Sequence, residues 1–325
     1  MLTRPDFMHK QILCVFTSRG EKLSFKNDNI IVQDEDKKIK YQSTCYRLFT
    51  LFIIGHTTLT SGLIQRAKKF QFSIILMGHN LKPYATLNSP TEGNVILRAK
   101  QYNYNQTTIA QHIVKNKLQT QKQTLKRIRS KTDKNKKSIQ KINTLIELIE
   151  NSSFDFQHLL NIEGQAAKTY FQALYEGEKW QGRKPRTKIT PTNTLLDIGY
   201  TLLFNIVEAL LNLYGFDIYK GVYHQTFYQR KSLVCDLIEP ARPIIDYRIR
   251  KAHHLNQINH DDFDYHQGQY LLLGKKAAPY SAFLLEEIMH HKENLFLYIQ
   301  QYYRAFMQDK KIEQYPIFSI NSKID

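Results

Sequence analysis

Three stretches of this sequence carry side chains suited to metal-assisted chemistry. The first runs from Asn161 to Phe171. Glu163, Ala167, Tyr170 and Leu174 fall at i, i+4, i+7 and i+11, one face of a helix. Ala166 and Ala167 are small, so another element can come close. A carboxylate there is shielded from water and needs a cationic partner, of which a metal is one. The competing reading is an acid that only favours a helix N-terminus. The second stretch, Gly221 to His224, reads as a loop. A lone imidazole there is either a ligand or simply a satisfied polar group. The third runs from Lys231 to Pro243. Ser232 reads as its N-cap. Asp236 and Glu239 are three apart and face one way on a helix. Leu233, Val234, Leu237 and Ile238 bury that turn, so the two carboxylates repel unless a cation sits between them. Pro240 removes a backbone donor and kinks the helix just past Glu239.

Together the three stretches offer carboxylate oxygens and one imidazole nitrogen, without thiolates. Mixed oxygen and nitrogen ligation suits Mg²⁺ or Mn²⁺ better than structural zinc. Phosphodiester chemistry uses such ions to activate an attacking oxygen and to neutralise phosphate charge. Other clusters are weaker. Asn259 to His266 reads as a solvated turn. The neighbours His253 and His254, like His290 and His291, point to different sides of a helix. The many Tyr and Phe residues could stack on unpaired bases, or build core.

The elements that must position these groups fall into two regions. Up to residue 94 the chain reads as β-rich. Ile12 to Phe16, Lys22 to Phe25, Ile30 to Val32, Lys38 to Tyr41, Leu48 to Ile54, Phe72 to Met77 and Tyr84 to Leu87 are strand candidates. Turn residues separate the early ones at a spacing that suggests antiparallel hairpins. Leu59 to Phe70 has helical spacing. After Gly93 the apolar residues recur at three and four, and 95–325 reads as mostly helical. Pro185 to Pro191 is a basic linker. Thr192 or Asn193 then caps a long helix that runs to Tyr214 and ends at Gly215. The expected fold class is α+β in two domains, a β-rich domain over 1–94 and a larger all-helical catalytic domain over 95–325.

Charge narrows the partner. The 325 residues hold 46 Lys and Arg against 29 Asp and Glu, a net +17. With 42% hydrophobic residues this is no disordered basic tail. Such an excess points to a polyanion, nucleic acid or an anionic membrane surface. Eleven of the cations lie between Lys115 and Asn143 beside one acid, Asp133. A sparse apolar stripe, Leu118, Leu125, Ile128, Ile139 and Ile142, makes that segment a helical hairpin, with Lys131 to Lys137 as its turn. It is either a phosphate-tracking surface or a solvated face. The longest apolar run, Leu48 to Ile54, is far short of the roughly 20 residues of a bilayer span. An N-terminus without a signal-like apolar stretch and three unpatterned cysteines lead us to expect a reducing cytoplasm and no membrane.

Here the motifs resemble a family. Glu163-Gly-x-Ala-Ala-x-x-Tyr-Phe, then Tyr223-His224, then Ser232-Leu-x-x-Asp236-Leu-Ile-Glu239-Pro-x-Arg242-Pro look like the CRISPR-associated integrase of spacer acquisition. The run from Thr194 to Leu203 resembles that family's long helix. The run from Thr60 to Leu76 resembles its β-domain. The likeness covers nearly the whole chain, with motifs in order at fitting separations. It departs at Gly78-His79-Asn80 and in a thin proline stretch before the long helix. The resemblance implies a dimerising β-domain and a metal triad of Glu163, His224 and Glu239, with Asp236 as a further acid. It implies Mg²⁺ or Mn²⁺, a homodimer, and a small ferredoxin-like subunit bridging two dimers. Double-stranded DNA, as a spacer fragment and a CRISPR repeat, is the implied substrate. In this reading the 3′-hydroxyl of the fragment attacks a phosphodiester at the repeat end. Lys231 and Arg242, next to the ligands, are expected at phosphates, and Tyr170 and Tyr223 at a strand end. Lys126, Arg127 and Arg129 are expected to track the backbone. Two alternatives stay open: a basic architectural nucleic-acid-binding protein, and a plain metal-dependent nuclease.

Overall fold

Leu48–Ile54 (β5) is the apolar run, and all seven of its residues are buried. A strand apolar on both faces must be covered on both, the situation of a parallel sheet. In the computed structural model, which describes residues 3–17, 20–88, 94–178, 180–273 and 276–320, β5 is central. Gln11–Phe16 (β1) and Ser73–Met77 (β6) flank it, both parallel, and Pro83–Leu87 (β7) closes the sheet antiparallel, in the order β1-β5-β6-β7. Antiparallel hairpins, expected from the turn spacing of the early strands, form a separate meander of Lys22–Lys26 (β2), Asn29–Gln33 (β3) and Ile39–Thr44 (β4). That meander is itself the crossover from β1 to β5. Ser61–Phe70 (α2) is the crossover from β5 to β6.

Side chains alternate along β5. Leu51 and Ile53 share a cluster with Ile30 and Val32 of the meander and Leu63 and Phe70 of α2. Phe52 and Ile54 join the core of the helical region instead. Arg4–Met8 (α1), capped by Thr3, lies within the expected β-rich part yet belongs with the helices. Its Phe7 stacks on Phe296 with ring centroids 4.4 Å apart. The apolar core is therefore continuous across the expected boundary at 94. Residues 89–93, where the sequence pattern changes, lie outside the described residues.

The helical region runs through Val95–Asn103 (α3), Thr108–Lys126 (α4), Asp133–Asn151 (α5), Phe156–Leu174 (α6), Pro191–Tyr214 (α7), Ser232–Ile238 (α8), Arg242–His254 (α9), Ala277–His290 (α10) and Lys292–Met307 (α11). A short hairpin, Asp264–His266 (β8) and Gln269–Leu271 (β9), interrupts the expected run of helices. The Asn259 to His266 cluster leads into its exposed first strand. Thr190, rather than Thr192 or Asn193, caps α7, because its hydroxyl accepts from Asn193 N and Pro191 takes the first helical position. Gly215, at φ +80°, ends that helix. By length and composition α7 could cross a membrane, but its most apolar stretch is mostly buried inside the protein.

The basic hairpin exists, with its turn at 127–132 rather than Lys131 to Lys137. The Thr132 side chain accepts from Asn135 N, and Asp133 sits in the first turn of α5. Both favour a helix start there. The run without apolar residues leads into the first turn of α5 and is exposed except at Asn135, which donates to Ala173 O at 3.0 Å. Its partner α4 is central: Asn116 bonds both backbone groups of Phe318, at 2.8 Å each.

Candidate metal centre and cation-lined groove

The site forms where α4, α6 and the turn between α8 and α9 meet. Glu163 projects from α6. Glu239 opens a 3-10 turn, Glu239–Ala241, that Pro240 imposes between α8 and α9. Between the two carboxylates lies the ammonium of Lys117, from α4. It contacts Glu163 Oε1 and stands 2.5 Å from Glu239 Oε2. Lys117 is 8% exposed. Burial alone would lower its pKa, but the two carboxylates outweigh burial and hold it raised. Burial pushes Glu239 up in turn, and Arg242 and Lys117 together hold it below the usual range. Arg242 pairs with Glu239 Oε1 at 3.0 Å. Glu239 Oε2 has the ammonium near it but no hydrogen bond of good geometry. Tyr223 OH donates to Glu163 Oε2 at 2.5 Å. Burial and the neighbouring Glu163 raise that phenol's pKa.

Asp236 is fully buried and faces elsewhere than Glu239. Its Oδ2 accepts the backbone N–H of Val222 (2.7 Å) and Tyr223 (3.0 Å). Its Oδ1 accepts from His224 N (2.8 Å) and stands 2.6 Å from His224 Nδ1. A carboxylate that takes three backbone donors is an acceptor throughout, so the shared proton sits on Nδ1 and the Nε2 lone pair is left free. The loop fits this closely around Asp236 only because Gly221 has no side chain. A Cβ there would stand 2.7 Å from Asp236 Oδ2 and 2.8 Å from His224 O. Ser232, expected as a cap, makes no cap bond; its hydroxyl donates instead to Gln225 O in the same loop.

The structure brings Glu163 and Glu239 together, and His224 with Asp236. Among the described residues no three His, Cys, Asp or Glu side chains stand close enough to hold a metal ion. The donor chemistry nonetheless fits one. Two carboxylates converge on a single positive charge, and one oxygen lacks an aligned donor, the environment a hard cation takes.

The expected DNA contacts divide. Lys231 and Arg242 line a cavity of about 690 Å³ with His224, Arg186, Arg230 and Tyr84. Arg186, Phe204, Asn205 and Arg242 also line a second cavity of about 530 Å³, to which Lys82, Arg183 and Lys188 contribute. The two form one cation-lined groove along α7. Within it Lys231 is held by both oxygens of Glu208, at 2.7 and 2.8 Å. Tyr170 and Tyr223 do not offer a face to a strand. Tyr170 is 0% exposed with its hydroxyl on Asp246 (3.1 Å), and Tyr223 is 3% exposed. Lys126 and Arg129 are exposed, and Arg127 lies over the Tyr247 ring at 4.3 Å.

Two features escaped the sequence reading. One is Lys117. Its signal was present: Ile109, Ile113, Asn116, Thr120 and Thr124 continue one helical stripe that turns from apolar to polar, yet all are buried. A polar residue on such a stripe points into the protein. The other is Asp246 on α9, which also accepts from Tyr200 OH, while Tyr175 OH donates to its backbone oxygen at 3.0 Å. Burial raises its carboxyl to about 6, despite the two hydroxyls. Arg242 lies over the Tyr200 ring at 4.7 Å, which links this network to Glu239.

Comparison with known proteins gives consistent results. A family model for CRISPR associated protein Cas1 matches residues 14–281. Over 218 residues the chain is 29% identical to the CRISPR-associated endonuclease Cas1 1 of Thermodesulfovibrio yellowstonii, covering 62% of this chain and 69% of that one. Over 282 residues it is 25% identical to the Cas1 2 endonuclease of Rhodospirillum rubrum, covering 80% and 81%. Among solved structures it resembles a chain of a Cas6-RT-Cas1–Cas2 complex with a TM-score of 0.76 at 22% identity, covering 98% of this chain and 36% of that longer one. It resembles a casposase bound to integration product with a TM-score of 0.72 at 18% identity, covering 97% and 95%. These two likenesses concern the fold.

Proposed function

The chain belongs to the CRISPR-associated Cas1 family, and we propose that it is a metal-dependent DNA endonuclease and integrase of CRISPR adaptation. Its reaction joins the 3′-hydroxyl of a short DNA fragment to a phosphodiester at the end of a CRISPR repeat. The observation that carries this reading is the convergence of Glu163 and Glu239 on one positive charge, beside a His224 fixed by Asp236. Arg242 belongs both to that site and to the cation-lined groove.

Glu163 and Glu239, with His224 through Nε2, would hold Mg²⁺ or Mn²⁺. When bound, such an ion supplies a Lewis acid that lowers the attacking hydroxyl's pKa and offsets charge on the phosphoryl oxygens. The chain's own residues set the geometry. Asp236 holds the imidazole in one tautomer and orientation. Arg242 and Lys231 present positive charge to the groove while their carboxylate partners fix them in place. Arg186 and Arg230, exposed in the same groove, are the freer phosphate contacts. A homodimer, a Cas2-like ferredoxin-fold subunit bridging two dimers, and a cytoplasmic setting complete the proposal. The Cas1–Cas2 assembly named for a structural neighbour supports the partner.

The test is a Mn²⁺-dependent strand-transfer gel with a short duplex and a supercoiled plasmid carrying a repeat. Glu163→Gln should cut joining by on the order of 10²–10³-fold and leave DNA affinity nearly intact. A variant that joins as well as wild type ends the metal-ligand assignment. Wild type that cuts without joining is a nuclease. Wild type that binds and does neither is an architectural protein.

A further inference from the structure

Lys117 is a cation in the place where a cation is needed. Its ammonium reaches Glu163 Oε1 on α6 and Glu239 Oε2 in the 3-10 turn, two elements that no other ion pair links among the described residues. Without it, Glu239 would keep only Arg242 and Glu163 only the Tyr223 hydroxyl, and the two facing oxygens would repel with no charge between them, an arrangement that disfavours folding. At 2.5 Å the contact to Glu239 is close, and the attraction of opposite charges is its larger part. Lys117 stands on a helix packed against α6, the 3-10 turn and α9. Its backbone cannot withdraw, but its flexible stem can.

A divalent ion bound by the same two acids would take the oxygens that Lys117 now occupies. Two positive charges cannot share them at contact distance. We propose that Lys117 is a tethered counter-cation of this centre: it holds Glu163 and Glu239 together in the metal-free protein and must leave them for a divalent ion to bind. This rests on the reading of Glu163 and Glu239 as metal ligands. Metal affinity is then a competition set within the chain, and the site is preformed before the ion arrives. Removal of the ammonium strengthens ion binding and weakens the metal-free fold. A merely structural ion pair would weaken the fold without strengthening ion binding.

The test uses the full chain without DNA. Mn²⁺ binding is read from the electron paramagnetic resonance signal of the free ion, together with the thermal midpoint. Lys117→Met should bind Mn²⁺ about tenfold more tightly than wild type. Its metal-free midpoint should fall, and saturating Mn²⁺ should restore much of the loss. Equal or weaker binding by Lys117→Met, while Glu163→Gln loses the ion, overturns the inference and leaves the ligand assignment standing. No Mn²⁺ binding by wild type or Lys117→Met overturns both. If Lys117→Met does not fold, Lys117→Arg decides. A guanidinium clamps carboxylates more firmly, so this variant should bind Mn²⁺ more weakly than wild type. Unchanged or tighter binding by Lys117→Arg overturns the inference.

Discussion

Lys117 and Lys126 stand nine residues apart on α4, in opposite environments. Lys117 is buried between two carboxylates. Lys126 is exposed, and beyond it Arg129, Lys131, Lys134, Lys136 and Lys137 ring the hairpin turn. Of these outer charges Lys136 pairs with Asp133 at 3.3 Å, both exposed, a contact worth little. The groove along α7 resembles the inner end: Lys231 is held by Glu208, Arg183 by Asp197 and Arg242 by Glu239. The same charge thus has two uses. At the turn it acts by number, through a field that salt screens. At the site it acts by position, and its carboxylate partners fix that position. A net charge of +17 describes the first use and conceals the second.

After the loss expected for Glu163→Gln, the largest effect tests position. Asp236→Asn puts an amide NH₂ against a nest of backbone donors that now meet an acceptor at 2.7–3.0 Å. Strand transfer should fall by about 10- to 100-fold as His224 loses its orientation. DNA affinity and its salt dependence should barely change. Affinity falling in step with activity would mean that the loop of His224 belongs to the outer binding surface, and the contrast between the two regions would collapse.

The next effect tests number. Glutamine at Lys126, Arg129, Lys134 and Lys137 removes turn charges that are all exposed. The plot of log affinity against log salt should flatten by about 0.9 for each duplex phosphate that is no longer neutralised. Joining per bound complex at saturating DNA should stay as in wild type. An unchanged slope would make the turn a solvated face, and the groove would then be the seat of phosphate binding.

What the sequence makes legible follows the same division between local and long-range. Leu48 to Ile54, the meander strands and the Gly215 stop are legible because period and turn chemistry are local. The parallel pairing of β1 with β5 is not, because 31 residues separate Phe16 from Leu48, and nothing in either strand names its neighbour. The three chemistry-bearing stretches are legible by residue type. Spacing alone has Asp236 and Glu239 facing one way, whereas the 3-10 turn after Ile238 lets them serve different partners. Lys117 looks like one more surface charge in the sequence because its environment is set by α6 and the turn at Glu239, which are distant along the chain. Tyr170 and Tyr223 suit a strand end by type, and burial alone shows that their hydroxyls turn inward.

The smallest expected effect, on stability, carries the contrast into the interior, where titration replaces screening. Asp246 has a carboxyl raised from 3.8 to about 6, chiefly by burial. Between those values the folded protein holds a proton that the unfolded chain has released. Stability from this group is therefore full below pH 3.8 and is lost as pH rises through 6, by about 3 kcal/mol in all. Asp246→Asn cannot titrate, yet its carbonyl can still accept from Tyr200. The midpoint of this variant should gain on wild type by a few degrees between pH 4.5 and 7.5, with the difference flat above that range. Added salt should leave the crossover in place, because the group is buried away from counterions, whereas the hairpin-turn slope responds to salt at every pH. A wild-type-minus-variant difference that does not change with pH would place an ionised Asp246 beside Arg242. The inner region would then be held by charge pairs at every pH, without the protonated carboxyl that the tyrosine hydroxyls surround behind Glu239 below pH 6.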